Sequence, residues 1–229
     1  MRWIQPDLHD ANGLFVGIHE GGVIQSRDKG LTFQDHNPNA EFDPHGVAAH
    51  PLAPGRLYES AGGDEKTARF RPTLRWGWPP FVPRVVITQG GYAETRDSGA
   101  TWERFTEGLE ENHYLWEIAV DPADPDTIVA SAAVGPIQAH TNLFAESYLV
   151  RRTKGQPWKR VIQGLPAAKG SIVYDLATNP REPGVFYAAN NRGVFRSADA
   201  GVTWEALFIP WPTRYQTQHS LDLTLIEVS

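Results

Sequence analysis

An eight-residue phrase occurs three times in this chain, as Ser26-Arg27-Asp28-Lys29-Gly30-Leu31-Thr32-Phe33, Thr95-Arg96-Asp97-Ser98-Gly99-Ala100-Thr101-Trp102 and Ser197-Ala198-Asp199-Ala200-Gly201-Val202-Thr203-Trp204. Each copy has a hydroxyl residue, an Asp two later, a Gly two after that, then Thr and an aromatic. Asp accepts bonds from amides just downstream, and Gly supplies the positive φ that a tight turn needs. The Thr-aromatic pair then opens a returning strand whose ring is available for packing. Three such hairpin turns within 229 residues mark a repeat protein.

A second phrase precedes each turn and sets the repeat. An apolar stretch ends in Pro, a short polar turn follows, and a second apolar stretch begins. Copies run from Val47–Pro51 to Leu57–Ser60, from Ile118–Pro122 to Ile128–Ser131 and from Leu176–Pro180 to Val185–Ala189, with a worn copy at Trp3–Pro6 to Leu14–Gly17. Each repeat therefore reads as four antiparallel strands on short turns, which is one propeller blade. The expected blades cover about 2–36, 45–106, 114–163 and 171–208 of a single domain spanning 1–229. The alternating stretch from Leu221 to Val228 reads as one more strand, the closing strand at 221–228.

The turn phrase is the Asp-box, and on it the chain resembles the BNR/Asp-box repeat proteins, a family of β-propellers that includes sialidases and other glycosidases. A degenerate copy, Arg151-Arg152-Thr153-Lys154-Gly155-Gln156-Pro157-Trp158, keeps the Gly and Trp but has Thr153 in the Asp place. The resemblance implies an all-β propeller, with about four blades plus the closing strand, and allows that the ring belongs to a larger propeller. It also implies that Ser26, Asp28, Gly30, Thr95, Asp97, Gly99, Trp102, Ser197, Asp199, Gly201 and Trp204 are structural. Family sialidases grip the substrate carboxylate with three Arg, the first in a Phe/Tyr-Arg-Ile-Pro motif. Phe70-Arg71-Pro72 lacks the Ile and lies inside an insertion, and no Tyr-Glu nucleophile pair is assignable. Sialidase activity is therefore not expected.

Composition narrows the partners. A net charge of −6 argues against nucleic acid. No long apolar run occurs, so no membrane span is expected, and Cys is absent, which suits a reducing compartment. With no apolar leader in the chain as given, a soluble cytoplasmic protein is the expectation. The eight His show no close metal-ligand spacing, so no metal and no cofactor is expected.

Two long insertions, 64–84 and 134–147, both fall between a blade's second and third strands and so project from one face. The first carries Arg71, Arg75, Trp76 and Trp78, and the second carries His140. Aligning the innermost strands on their Pro residues puts Gly46, Glu117 and Asp175 in one column, joined by Asp222 when the last stretch is aligned by its alternation. These carboxylates should cluster near the channel mouth on the same face, with His45, His113 and Trp116 beside them. Such a cluster suits a carbohydrate or protein ligand, and paired carboxylates suit glycoside hydrolysis. It equally suits a water-filled channel end. Two classes stay open at this point: a ligand- or protein-binding scaffold, with a homo-oligomer among its forms, and a carbohydrate-active hydrolase with Glu117, Asp175 and Asp222 as candidate catalytic groups.

Overall fold

A computed structural model describes residues 3–63, 69–74, 81–86, 90–220 and 222–226, with 69–74 and 81–86 described as strand backbone. Of the expected ligand-binding residues, Arg75, Trp76 and Trp78 lie outside the described residues, and so does the side chain of Arg71.

The chain forms successive β-propeller blades. The first sheet holds β1 (Trp3–Pro6), β2 (Leu14–Ile18) and β3 (Gly22–Ser26). Blade two follows with β4 (Pro44–Ala49) and β5 (Leu57–Ala61). Its insertion is a hairpin of β6 (Arg69–Leu74) and β7 (Phe81–Val86), and β8 (Gly91–Thr95) and β9 (Glu103–Arg104) complete the blade. Blade three comprises β10 (Tyr114–Asp121), β11 (Asp124–Ala133), a short helix α1 (Pro136–His140), β12 (Ser147–Arg152) and β13 (Lys159–Val161). Blade four is β14 (Asp175–Ala177), β15 (Phe186–Asn190), β16 (Gly193–Ser197) and β17 (Glu205–Ala206). Within each blade consecutive strands pair antiparallel, in the up-and-down order that short turns impose. The backbone of β7 runs beside α1, so the two insertions do meet on one face.

Strand alternation builds the core between blades. Along β11, Ile128 and Ala130 face blade two and Val129 faces blade four. The first interface packs Phe15 and Val23 on Leu57, Ala93 and Trp102. The second joins Tyr58 and Tyr92 to Ile118, Ile128, Val150 and Trp158. The third joins Val129 and Leu149 to Leu176, Phe186, Phe195 and Trp204. Each large buried side chain in these layers contributes about 1.5–3 kcal/mol.

The turn phrase has one geometry in all three copies. Asp97 accepts from the Thr101 amide at 2.8 Å and the Thr101 hydroxyl at 2.6 Å, while Thr95 Oγ1 donates to Asp97 and accepts from the Gly99 amide. Asp28 and Asp199 repeat this pattern on Thr32 and Thr203. Two consecutive residues, not only the Gly, take positive φ: Lys29 with Gly30, Ser98 with Gly99, and Ala200 with Gly201. The aromatic closes the turn before the next strand begins, since β9 and β17 start one residue after Trp102 and Trp204.

Two expectations change. Blade one has three strands, and its expected fourth is reduced to a single Gln25–Gln34 bridge. The alternating tail pairs with no sheet in its described part, 222–226. Alternation makes a strand only where an edge offers free backbone groups. Just before the tail, His219 packs edge-on against Trp116 and His140.

Candidate functional site

Two β-bulges shape the candidate site. In blade two the register shifts between Pro44 and Gly46, leaving His45 as the extra residue; in blade three it shifts between Leu115 and Ile118, so Trp116 and Glu117 together oppose Ser131. A bulge re-aims its side chains without breaking the sheet, and this one sets Trp116 beside His45, His140 and Asp175, and Glu117 beside Gly46. Ser60, on the neighbouring strand, ties the two bulges by donating toward Gly46 O and Trp116 O at 3.4 and 3.3 Å.

The expected column of Gly46, Glu117 and Asp175 is assembled in space. A β-carbon on Gly46 would lie 2.7 Å from Glu117 Oε1, so the missing side chain is the space the Glu117 carboxyl fills. Glu117 keeps some accessible surface yet lies deep in the protein, and burial pushes its carboxyl up to about 8. The Ile118 amide, bonded to Oε1 at 3.1 Å, opposes that rise, while Asp175 and Asp222 add to it. Asp175 is also raised by burial, with Ser220 and Trp116 opposing; Trp116 Nε1 donates to Asp175 Oδ1 at 3.2 Å. The Ser220 hydroxyl stands beside this carboxyl, but neither Ser220 Oγ nor Asp175 Oδ2 is in bonding geometry. Asp222 is exposed at the edge of the cluster.

Aromatic and imidazole rings wall the acids. His45 contacts Tyr114 and Trp116 at centroid distances of 4.7 and 5.0 Å, and His140 contacts Tyr114, Trp116 and His219 at 5.6, 4.6 and 4.8 Å. Tyr114 Oη and His140 Nε2 share a bond of 2.8 Å. His45 is fully enclosed, with Nδ1 2.7 Å from Leu115 O and Nε2 3.1 Å from Asp43 Oδ2. Both ring nitrogens thus face oxygen acceptors, and the Asp43 carboxylate also accepts from His19 Nδ1 at 2.9 Å. Gly62 leaves room for this pair, since a β-carbon there would meet His45 at 2.4 Å. Burial holds His219 below its ordinary value and therefore neutral.

Of the expected residues, His45, Trp116, His140, Glu117, Asp175 and Asp222 come together. His113 instead bonds back to Glu110 O at 2.8 Å from the loop before β10. Asp43, His219, Ser220 and Ser60 belong to the mouth and were not anticipated. For Asp43 a signal existed, two residues before His45 and next to Pro44; for His219 and Ser220 the tail's strand-like alternation hid it. Among the described residues, no group of three His, Asp or Glu side chains is placed to hold a metal ion. No helix of the described residues is long and apolar enough to cross a membrane.

No family model matches the chain. A curated relative, xyloglucanase Xgh74A from Acetivibrio thermocellus, is 26% identical over 170 residues, covering 63% of this chain and 20% of its own length. An ancestral GH74 enzyme superposes with a TM-score of 0.64 at 16% identity, over 91% of this chain and 24% of that one. The GH74 xyloglucanase from Xanthomonas campestris gives 0.60 at 18% identity, over 91% and 30%. The chain thus spans less than a third of the length of each. At these identities the likeness concerns architecture: this chain has the β-propeller fold seen in GH74 enzymes.

Proposed function

We propose that the channel mouth around Trp116, Glu117 and Asp175 binds a carbohydrate. The observation that carries the reading is the bulge that sets an indole and a carboxyl side by side, with a second carboxyl bonded to that indole. Sugars present apolar ring faces that stack on aromatics and hydroxyls that bond to polar groups, and this mouth offers both. The fold likeness to GH74 propellers and the xyloglucanase among the relatives make xyloglucan oligosaccharides the first ligands to test. The three matching turns support a place among Asp-box repeat propellers.

A second reading is hydrolysis, favoured by one observation. A carboxyl at about 8 is protonated at neutral pH, as a general acid for a glycosidic oxygen must be, and Asp175 is the adjacent carboxyl. In this reading Glu117 protonates the leaving oxygen and Asp175 acts as base or nucleophile. Calorimetric titration with xyloglucan oligosaccharides, beside a reducing-end assay on wild type and Glu117→Gln, separates the readings. Binding without turnover makes the mouth a recognition site. Turnover lost in Glu117→Gln makes it catalytic, and no binding by the wild type to any glycan tested overturns both.

A further inference from the structure

The same joint connects successive blades twice within this chain. In blade two's box turn, Gly99 seats against Phe15 and Gln25 of blade one, and Ser98 O accepts from Arg27 of blade one at 2.6 Å. In blade four's box turn, Gly201 seats against Val129 and Arg151 of blade three, and Ala200 O accepts from Arg151 Nε at 2.5 Å. Each joint thus has a plug, the positive-φ pair of the box, and a socket, a cross-strand pair on the face of the preceding blade. The register aligns these sockets: Phe15 pairs with Gln25 and Val129 with Arg151.

Among the described residues, both halves of one more joint are present and unfilled. On blade four the equivalent cross-strand pair is Tyr187 with Arg196. This pair lies on the face turned away from blade three, and Arg196 is half-buried beside Glu182 and Glu205 at 3.6 and 3.8 Å. On blade one the equivalent plug is Lys29 with Gly30. Gly99 and Gly201 are buried in their sockets, whereas Gly30 is half-exposed and meets only Leu14 and Phe33 of its own blade. Among the described residues, no interface of the extent seen between the other blades joins blade four to blade one.

We propose that the Tyr187–Arg196 face of blade four receives the blade-one turn of a second copy of this chain. Arg196 then donates to Lys29 O of that copy, as Arg151 does to Ala200 O. Charge complementarity points to this occupant, because the Lys29 ammonium would enter beside the carboxylates of Glu182 and Glu205. The joint is head-to-tail, so two copies related by a two-fold axis make it twice. Together they contribute eight blades, within the size range of propeller rings.

The test is the molar mass of the full chain in solution by light scattering, with charge variants on each half. The expected mass is twice the 25.5 kDa of one chain. Lys29→Glu on the exposed turn should weaken association about tenfold or more, and Glu205→Lys should do the same from the socket side. The two changes combined in one chain should restore it. Arg196→Gln should also weaken it, and circular dichroism confirms that each variant is folded. A wild type that stays monomeric up to its solubility limit overturns the proposal, as does a dimer indifferent to both Lys29→Glu and Glu205→Lys.

Discussion

Gly46 and the carboxyl of Glu117 occupy one volume in two blades: a β-carbon on the first would stand 2.7 Å from Oε1 of the second. The relation crosses from blade two to blade three, so the acid is placed by the strand beside it as much as by its own. Gly46→Ala should therefore displace the Glu117 carboxyl. The expected result is a carbohydrate affinity reduced about tenfold, with thermal stability changed far less, measured by calorimetric titration and thermal unfolding.

The Glu117 carboxyl gives stability a pH signature. It holds its proton to about 8 in the folded chain against 4.5 in an unfolded one. The folded state thus binds the extra proton between those values, and its stability contribution is fully present below about pH 4.5 and lost as the pH rises toward 8. Glu117→Gln should flatten the fall in stability over this window, as read from urea unfolding at a series of pH values. An unchanged slope would mean the carboxyl is solvated.

Asp97→Ala removes the acceptor for the Thr101 amide and hydroxyl. The expected loss is about 1 kcal/mol of stability with carbohydrate binding intact, since the turn lies at the blade's outer end. Asp28, held down to about 2 chiefly by the Thr32 hydroxyl, puts the turns' acid sensitivity well below neutral: the stability it adds is present above its ordinary 3.8 and lost as pH falls through about 2.

Between blades two and three, Glu94 is buried with Arg56 at 2.8 Å, Tyr92 at 2.6 Å and Arg96 at 2.7 Å, and Arg56 also holds Asp126 at 2.7 Å. Burial alone would raise the Glu94 carboxyl, but the bonds from Tyr92, Arg56 and Arg96 outweigh it and hold it below its ordinary value. Arg56→Met leaves that charge short of its main partner. A loss of about 3–5 kcal/mol is expected in chemical denaturation.

The blades were legible because their signals are local. A Pro turn, a box turn and period-two alternation each act within a few residues, and the four sheets follow them. The column of Gly46, Glu117 and Asp175 was legible for the same reason, through the shared Pro spacing. The bulges at His45 and Trp116 were not, because one extra residue in a strand leaves no mark until its partner strand is known. Nor was the Glu41–Glu59 pair between blades one and two, where Glu59 Oε2 accepts from the Glu41 amide and burial raises both carboxyls. Those groups lie 18 residues apart and meet only through the fold. The tail misled because alternation reports where a strand could form, and its described residues 222–226 join no sheet.

The proposed carbohydrate site rests on Trp116 and Glu117, presented by one bulge. Its most direct test is calorimetric titration of wild type, Trp116→Ala and Glu117→Gln with one xyloglucan oligosaccharide, each variant first shown to be folded. Saturable binding by the wild type is expected, with an affinity at least tenfold weaker in Trp116→Ala from lost stacking and a weakened but measurable affinity in Glu117→Gln. Equal affinity in all three proteins would place the ligand elsewhere and rule out this site.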